Sequence, residues 1–540
     1  MSKETYDFIV VGSGSAGSVV AERLSANGRF SVLVLEAGGT DRRFFVQMPL
    51  GYGKTFFDPT VNWNYKAEPD PGLAGNADHW PRGKLLGGSS SINAMVWIRG
   101  QREDFDSWRD AGNPGWGFDE LLPIFKRIED NEAGAGDWRG QGGPVHVTDN
   151  RKKIHPLCHR FLAAGKELGL PLNPDFNGAF QDGVGVYQIT TKDGRRVSAA
   201  RAFLRPAMKR PNVRVETDAL VTKIRFEGKR AVGIDYSRHG QPGSAWARCE
   251  VVLCAGSINT PQLLQLSGVG PTPLLSEFGI AVVHANDHVG ANLQDHVGIN
   301  YTYKATVPTL NQTLRPWWGK MLVGLRYLLM RSGPLSMSMN QGGGFFRTDV
   351  EKSRANMQLY FQAFSTVIPN AGERPILTPD PWPGFSIGLS NCRPTSRGSI
   401  TIRSADPLTP PKIVANAFST EEDVAEMLDA VKFLRRLAAT RALSEIIAEE
   451  VLPGPACLSD DDMILDFRKR SGTVYHPVST CRMGPDPDRN VVDPRLKVHG
   501  LSGLRVVDAS IFPSNITGNT NAASIMTGWK GADLILADYP

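Results

Sequence analysis

The stretch DFIVVGSGSAGSVVAERLSANGRFSVLVLEAG, residues 7–38, decides the fold of this chain. An apolar strand is predicted over 7–11, a glycine-rich turn over 12–17 and a helix over about 15–26. A second apolar strand is predicted over 31–38. Elements in this order, joined by short connections, indicate a strand-helix-strand unit of parallel sheet.

The turn GSGSAG carries glycines at Gly12, Gly14 and Gly17, with Glu36 at the end of the second strand. The first glycine permits a tight turn, the second lets a pyrophosphate approach the backbone, and the third permits close packing of helix on strand. Glu36 is placed to accept a hydrogen bond from a ribose hydroxyl and would repel a 2′-phosphate, which disfavours NADP. The stretch therefore predicts dinucleotide binding, with FAD and NAD both open.

Composition indicates a folded protein of ordinary type. The chain has 540 residues, 41% hydrophobic and 21% charged, which suggests two domains or one large domain with an insertion. The net charge of +5 is spread without a block of lysine or arginine, so nucleic acid is not an expected partner. The six cysteines form no C-x-x-C pair, which argues against a zinc site and a disulfide framework, so we expect reduced thiols and no metal.

The apolar segments of the chain bear on its location and on membrane association. The beginning, MSKETYDFIVVG, passes directly into a strand without a secretory signal pattern, which favours a cytoplasmic location. No run of about 20 apolar residues predicts a transmembrane segment. The stretch RPWWGKMLVGLRYLLMR, 315–331, is apolar with basic ends. We favour a helix that covers a substrate channel or a subunit contact there, and lying on a membrane surface is the alternative.

Later segments add strands and helices to the first unit. Helices are predicted over 118–127 and about 420–438, and strands over 212–236 and 251–254. A further helix is expected to begin near Thr260, with Pro261 in its first turn. The last apolar strand lies in LRVVDASIFPS. Strands of one sheet are thus expected from the beginning, middle and end of the chain, with a second domain inserted between them.

Several segments resemble the signature sequences of the glucose-methanol-choline (GMC) flavoprotein oxidoreductases, choline/alcohol dehydrogenase-like branch. They are PRGKLLGGSSSINAMVWIRG (81–100), GNPGWGFDELLPIFKR (112–127), VSAARAFLRP (197–206), GSINTPQLLQLSGVG (256–270), GANLQDH (290–296), YHPVSTCRMG (475–484) and VVDASIFPSNITGNTNAAS (506–524). The resemblance runs through nearly the whole chain.

The resemblance implies an α/β fold, α+β overall. A Rossmann-like FAD-binding domain (1–150, 195–300 and 480–540) would be joined to a substrate domain (151–194 and 301–479) with a mostly antiparallel sheet and flanking helices. It also implies FAD as the cofactor. The residues expected to hold it are Gly12, Ser13, Gly14, Ser15, Gly17, Glu36 and Ala37 at the ADP half, Trp63, Arg82, Gly83, Gly88, Asn93, Ala94 and Met95 along the pyrophosphate and flavin, Val221 at the adenine, and Tyr475, Asp508, Ala509 and Thr520.

Ile92 bears on how the flavin is attached. Members with covalent flavin carry a histidine just before the asparagine of the GGSSSIN segment, and this chain has Ile92 there. Non-covalent FAD is therefore expected.

The resemblance also implies a catalytic pair, His476 and Asn521. Alcohol oxidation removes the hydroxyl proton while a hydride passes to flavin N5, and an imidazole can accept that proton near neutral pH. Asn521 is expected to hydrogen-bond the developing alkoxide. His296 is interpreted as structural or as supporting the site, and Ser479, in place of a more usual glycine, as narrowing the pocket.

The implied reaction is oxidation of a primary alcohol to an aldehyde, with electrons passed to an external acceptor: a quinone, a dye-like acceptor or oxygen. An aryl- or furan-alcohol oxidase and a non-redox hydroxynitrile lyase on the same fold are the alternatives. Lys304 falls where choline-oxidising members are expected to place an acid, so choline is disfavoured. Trp317, Trp318, Phe361 and Phe364 are candidates for an apolar pocket. The acceptor, the individual alcohol and the oligomeric state stay open.

Overall fold

The structure is a computed structural model, and it describes residues 4–366 and 378–540. Its strands are β1 Thr5–Val11, β2 Val32–Leu35, β3 Tyr65–Lys66, β4 His79–Trp80, β5 Glu129–Asn131, β6 Val145–Val147, β7 Gly183–Val186, β8 Thr191–Lys192, β9 Arg195–Arg196, β10 Val213–Glu216, β11 Ala219–Glu227, β12 Arg230–Arg238, β13 Gln241–Leu253, β14 Val269–Gly270, β15 His284–Ala285, β16 Val297–Ala305, β17 Gly342–Phe346, β18 Met357–Gln362, β19 Gly384–Asn391, β20 Ser399–Thr401, β21 Lys412–Val414, β22 Ile447–Leu452, β23 Gly472–Thr473 and β24 Leu504–Val506.

The α-helices are α1 Ser15–Ser25, α2 Phe44–Gln47, α3 Tyr52–Thr55, α4 Arg102–Asp110, α5 Phe118–Ile128, α6 Pro156–Glu167, α7 Arg205–Ala207, α8 Gly256–Leu266, α9 Thr272–Glu277, α10 Leu310–Leu314, α11 Trp317–Met330, α12 Glu421–Ala439, α13 Arg441–Ser444, α14 Asp460–Arg470 and α15 Asn521–Asp538. The helices predicted over 15–26, 118–127 and 420–438 are confirmed to within a residue or two at each end.

One sheet is built on the strand-helix-strand unit formed by β1, α1 and β2. Its strand order is β10-β2-β1-β13-β12-β11, and β24 pairs in parallel with the end of β13. The strands β10, β2 and β1 and the second half of β13 run parallel, whereas β11 and β12 form an antiparallel meander with β13. The prediction that beginning, middle and end of the chain share one sheet is confirmed.

The other large sheet has the order β22-β16-β19-β18-β17-β7, with β23 at the end of β16. Every pair in it is antiparallel, as the resemblance implied. The domain boundary expected at residue 300 falls inside β16, which belongs wholly to this sheet. α12 packs against β19 and contributes Met427, Val431 and Leu434 to the core on that face.

The prediction that a helix begins near Thr260 is wrong. α8 begins at Gly256, so Pro261 lies inside it. Proline has no backbone N–H, so the carbonyl of Ser257, four residues earlier, lacks its usual helical donor. The hydroxyl of Thr480 donates to that carbonyl at 2.6 Å, which replaces the missing bond.

The 315–331 stretch forms a helix, α11, as predicted. Across residues 4–366 and 378–540, no helix has the length and apolar character needed to cross a bilayer. All six cysteines are free thiols.

Candidate functional site

A cavity of about 830 Å³ lies between the two large sheets. The first sheet and its connections line one end, with Val11, Leu35 and Val221. The antiparallel sheet lines the other end, with Ile299 and Tyr360. The volume lies in the upper part of the range for cofactor and ligand sites, so a large cofactor with a small substrate is the appropriate occupant.

The nucleotide end of the cavity is formed by the turn before α1. Gly12 has a φ of +95°, and a Cβ there would lie 2.6 Å from the carbonyl oxygen of Cys254. A Cβ on Gly17 would lie 2.0 Å from the carbonyl oxygen of Gly12. Both positions therefore require glycine, for the reasons that the motif predicts.

The amino terminus of α1 opens onto this end of the cavity. Gly14 caps α1 without a side-chain hydrogen bond, and Gly14, Ser15 and Ala16 line the cavity. The first backbone N–H groups of a helix lack internal partners and, with the helix dipole, favour an anion. The pyrophosphate of FAD fits this place.

Glu36 lies beside the same turn and is buried. Its carboxylate accepts hydrogen bonds from the N–H and hydroxyl of Ser13 at 3.0 and 2.7 Å, and from the N–H of Gly38 at 3.0 Å. Burial raises the pKa of Glu36, and the hydrogen bonds from Gly38 and Ser13 oppose that shift. Glu36 lines the cavity, so it can meet a ribose while it also holds the turn.

The residues expected to hold FAD, with the exception of Ser13 and Gly17, line the cavity. Ser13 and Gly17 lie behind its wall, where Ser13 binds Glu36 and Gly17 packs on Gly12. Asp508 lines the cavity and accepts from Gly256 N at 2.8 Å and from the Thr260 hydroxyl at 2.6 Å. The residues present fit FAD, and their individual contacts with it stay a prediction.

His476 lines the cavity, and its ring is hydrogen-bonded through both nitrogens. Nδ1 lies 3.0 Å from Nδ1 of His296, and Nε2 lies 3.1 Å from Nδ2 of Asn519. Asp295 accepts from the backbone N–H of His476 at 2.7 Å, and Asn515 donates to its carbonyl at 3.2 Å. The ring is therefore held from the backbone and from both edges.

The tautomer of His476 follows from these contacts. His296 Nε2 lies 2.9 Å from the carbonyl oxygen of Cys392, which can only accept, so the proton of neutral His296 is on Nε2. His296 Nδ1 is then an acceptor, and His476 Nδ1 must donate to it. The Nε2 of His476 is thus left with a lone pair on the side of Asn519 and the cavity.

The charge state of both histidines supports this assignment. Burial lowers the pKa of His296 to about 4, so its ring is neutral at physiological pH. The pKa of His476 is lowered well below its usual 6.5, first by burial and then by His296 and Arg82. The His476 ring is accordingly neutral at physiological pH.

The expectation that Asn521 is the partner of His476 is corrected by the structure. Asn521 is the first residue of α15, and its side-chain oxygen accepts from the hydroxyl of Ser15 at 2.8 Å, at the amino terminus of α1. Asn519, two residues earlier in the same GNTN segment, contacts His476 instead. Asn519 was missed in the sequence analysis, because both asparagines lie in the same GNTN segment and only the start of α15 distinguishes them.

The orientation of the Asn519 amide is fixed by the antiparallel sheet. Gln358 Nε2 donates to Asn519 Oδ1 at 3.2 Å, and the Tyr360 hydroxyl donates to Gln358 Oε1 at 2.8 Å. The oxygen of Asn519 is therefore turned toward Gln358, and its NH₂ toward His476. Asn519 lines the cavity, so its second N–H is available to a ligand oxygen.

Lys304 does not lie in the cavity, contrary to the expectation from the sequence. Its ammonium pairs with Glu449 of the neighbouring strand β22 at 2.5 Å and lies 5.2 Å from the Trp382 ring. The part of β16 that lines the cavity ends at Thr302. Lys304 points the same way but lies two residues, about 6.6 Å, farther along the strand.

The expectation about which aromatic residues line the pocket is also wrong. Trp317 and Trp318 are exposed on α11, and Phe361 and Phe364 are buried in the core, away from the cavity wall. The aromatic side chains that line the cavity are Tyr52, Phe56, Phe57, Trp63, Tyr65, Tyr360 and Tyr475. Ser479 is buried behind the wall with a φ of +73°, so it does not narrow the cavity.

Comparisons with known proteins agree with this architecture. The chain is 42% identical over 535 residues to an alcohol dehydrogenase (acceptor) of Pseudomonas putida, covering 98% of this chain and 96% of that protein. It is 39% identical over 539 residues to an oxygen-dependent choline dehydrogenase of Photobacterium profundum, covering 99% and 94%. The crystal structure of pyridoxine 4-oxidase from Mesorbium loti superposes with a TM-score of 0.88 at 30% identity, covering 98% of each chain.

The family models for GMC oxidoreductases match residues 6–298 and residues 394–528. Together these ranges span well over half of the chain and include the glycine turn, His476 and Asn519. The chain therefore belongs to the GMC oxidoreductase family and is an FAD-dependent enzyme.

Proposed function

We propose that this protein oxidises an uncharged primary alcohol to the aldehyde and passes the electrons to an external acceptor. The observation that carries the proposal is the pair formed by His476 Nε2 and Asn519 Nδ2, a lone pair beside an N–H, on the wall of a cavity suited to FAD. Bound FAD would accept the hydride from the carbinol carbon. The roles of the side chains follow from their chemistry.

His476 is the base in this proposal. A base must present a lone pair to the hydroxyl proton, and the hydrogen bond to His296 leaves the lone pair of His476 on Nε2. Because its pKa is below 6.5, the ring is already unprotonated at neutral pH. It can therefore take the alcohol proton without first losing one, once the substrate hydroxyl replaces the Asn519 amide as the donor to Nε2.

Asn519 is the donor that stabilises negative charge on the substrate oxygen. A neutral amide cannot titrate, and its orientation is set in advance by Gln358. A donor fixed before the reaction loses no free energy to reorganisation as charge develops. Asn521, which the sequence suggested for this role, is assigned instead to the junction of α15 with Ser15.

FAD is held without a covalent bond in this proposal. Ile92 is buried and lines the cavity at the position where covalent members carry a histidine. A hydrocarbon side chain offers no nucleophile for such a linkage. Flavin should therefore leave the polypeptide on acid or heat denaturation, and flavin that stays with the precipitate contradicts this point.

The carboxylates on the described part of the cavity wall favour an uncharged alcohol over choline, because all of them are already hydrogen-bonded within the protein. The carboxylates on the described part of the cavity wall are Glu36, Asp78 and Asp508, and each accepts hydrogen bonds from backbone N–H groups. Burial also raises the pKa of Asp78 to about 6, which weakens its negative charge. A quaternary ammonium would therefore lose its hydration without gaining an anionic partner. Choline should fail to reduce the flavin.

We further propose a quinone-like acceptor in preference to oxygen, and a cytoplasmic location. The alcohol dehydrogenase (acceptor) of Pseudomonas putida supports the first point by its similarity over nearly the whole chain. Six free cysteines, four of them buried, support a reducing compartment.

The proposal is tested by replacing the base. His476→Ala should retain FAD and slow flavin reduction by roughly 10²- to 10⁴-fold, the usual contribution of a general base. His159→Ala, at an exposed position on α6, is the matched control and should reduce at the normal rate. Unchanged reduction in His476→Ala would remove His476 from the mechanism.

An anaerobic screen of primary alcohols then decides the reaction class. Bleaching of the flavin by an alcohol, followed by reoxidation with a quinone and only slowly with air, is the expected result. Rapid reoxidation by air would indicate an oxidase. A flavin that no alcohol bleaches, together with cleavage of cyanohydrins, would indicate the lyase.

A further inference from the structure

Helix α11 exposes an unusually large apolar surface. Its inward side is small: Gly319, Val323 and Tyr327 are its buried residues. The exposed apolar side chains of α11, together with two on the neighbouring helix α2, define what we call the α11 surface: Phe44, Phe45, Trp317, Trp318, Met321, Leu322, Leu325, Leu328, Leu329 and Met330. Trp317 is 76% exposed and Leu329 74%. A continuous apolar surface of this size marks an interaction site.

The α11 surface belongs to a well-anchored part of the fold. The Tyr327 hydroxyl donates to the carbonyl of Gly194 at 3.0 Å, and the Tyr327 ring lies 6.2 Å from that of Phe44. Apolar residues recur at 318, 321, 322, 325, 328 and 329, which places them on one side of the helix. A narrow face of the helix, with the Tyr327 hydroxyl at its end, thus attaches it to the protein. The wider apolar face points outward.

The charge around the α11 surface is positive. Segments 315–331 and 42–57 contain no aspartate or glutamate, and their cations are Arg42, Arg43, Lys54, Arg315, Lys320, Arg326 and Arg331. None of these seven cations pairs with a carboxylate within residues 4–366 and 378–540; Arg315, for example, donates to the Pro379 carbonyl and Arg326 to the Ser332 hydroxyl. Asp41 and Asp58 flank the second segment, and Asp41 is paired with Arg205. The neighbouring 192–195 turn carries Asp193 between two cations, so the net charge stays positive.

We propose that the α11 surface docks on an anionic lipid bilayer, lying in its interface without crossing it. Tryptophan and aliphatic side chains rimmed by lysine and arginine are the features of helices that bind in this way. A second copy of this chain fits less well, because a two-fold contact would bring the same unpaired cations together. This inference goes beyond the proposed function and does not depend on it.

The position of the α11 surface beside the cavity gives the docking a consequence. Phe44 and Phe45 are followed by α3, whose Tyr52 lines the cavity and accepts from the N–H of Met339 at 3.2 Å. Met339 also lines the cavity and follows α11 along the chain. The bilayer would therefore lie near one wall of the cavity. Apolar alcohols or acceptors dissolved in the bilayer would then be close to the site.

The test is flotation of the holoenzyme with lipid vesicles. Vesicles of phosphatidylcholine containing about a third phosphatidylglycerol should carry the protein at low salt. Pure phosphatidylcholine vesicles should bind it at least about tenfold more weakly, since each cation near an anionic surface contributes about 1 kcal/mol, or fivefold.

Two double variants and one control double variant localise the contact. Leu325→Asp with Leu329→Asp should lower binding to anionic vesicles by about tenfold or more, because both side chains belong to the α11 surface. The matched control is Val350→Asp with Leu458→Asp, two exposed apolar positions at 85% and 70% outside the α11 surface, and it should bind normally. Lys320→Glu with Arg326→Glu should abolish the preference for anionic lipid.

Three results would overturn the proposal. They are failure of the wild-type protein to float with any vesicle, equal binding by the Leu325→Asp, Leu329→Asp variant, and a solution dimer that this variant converts to monomer. The last result would assign the surface to a second copy of the chain. All variants change exposed side chains, so flavin content and melting temperature should be those of the wild type and show that the fold is intact.

Discussion

His296 should control the rate of flavin reduction without touching the substrate. Its Nδ1 accepts the Nδ1–H of His476, and its own Nε2–H is held by the Cys392 carbonyl. In His296→Phe, the Nδ1–H of His476 would be buried without a partner. The ring would then favour the other tautomer, with the proton on Nε2, where the base must have its lone pair.

The size of the effect follows from that unsatisfied group. Leaving one buried donor without a partner costs about 1–3 kcal/mol. Disfavouring the productive tautomer by this amount slows the proton transfer by roughly 5- to 150-fold. His296→Gln should recover most of the rate, because its amide oxygen can accept from His476 and its NH₂ can donate to Cys392.

Two measurements test this reasoning. Anaerobic stopped-flow bleaching of the flavin gives the reduction rate of each variant, with flavin content and melting temperature as checks on folding. The ¹⁵N chemical shifts of histidine-labelled holoenzyme report directly which nitrogen of His476 carries the proton. A reduction rate for His296→Phe within about twofold of the wild type, or a wild-type His476 protonated on Nε2, refutes the argument.

Three further predictions follow from the same structure. Asn519→Ala should slow flavin reduction by about 10²-fold, the usual effect of losing one oxyanion donor, whereas Asn521→Ala should spare the reduction rate and weaken FAD retention through Ser15. Because burial holds the pKa of His476 below 6.5, kcat/KM should stay flat from about pH 9 to 6.5 and fall only at lower pH, where the base becomes protonated; a fall centred above pH 7 contradicts this. Ser479→Gly should raise the free energy of unfolding by about 1 kcal/mol in urea melts, since serine is strained at a φ of +73°, whereas Ser510→Gly, outside the left-handed region, should lower it.

The first sheet and its glycine turn could be predicted because their requirements are local. Only glycine readily adopts a φ of +95°, as at Gly12, or tolerates the close contact of Gly17 with the Gly12 carbonyl. The six-residue motif GSGSAG is therefore enough to predict the turn. The long apolar runs at 7–11 and 31–38 have only one plausible environment, the interior of a parallel sheet. Here the residue types themselves determine the structure.

The residues on the substrate side of the cavity could not be predicted to the same degree. Their roles depend on where each side chain points and on how far along its strand or helix it lies. Asn519 and Asn521 are chemically identical, and their roles differ because α15 begins between them. Lys304 shares its face of β16 with cavity-lining residues but lies beyond the edge of the cavity, beside Glu449. Trp317 is aromatic, and composition alone cannot tell an aromatic pocket from an exposed helix.

The hydrogen-bonded chain around His476 also explains why the active site needs both sheets. Cys392, which fixes the tautomer, follows β19, and Gln358, which turns Asn519, lies in β18, so both orienting groups come from the antiparallel sheet. Asn519 itself precedes α15, and α15 packs on α1 of the FAD-binding sheet. The distance between base and donor is therefore set by how the two sheets meet. Changes that loosen this junction should slow flavin reduction before they release FAD, since the glycine turn at the amino terminus of α1 belongs to the first sheet's own strand-helix unit.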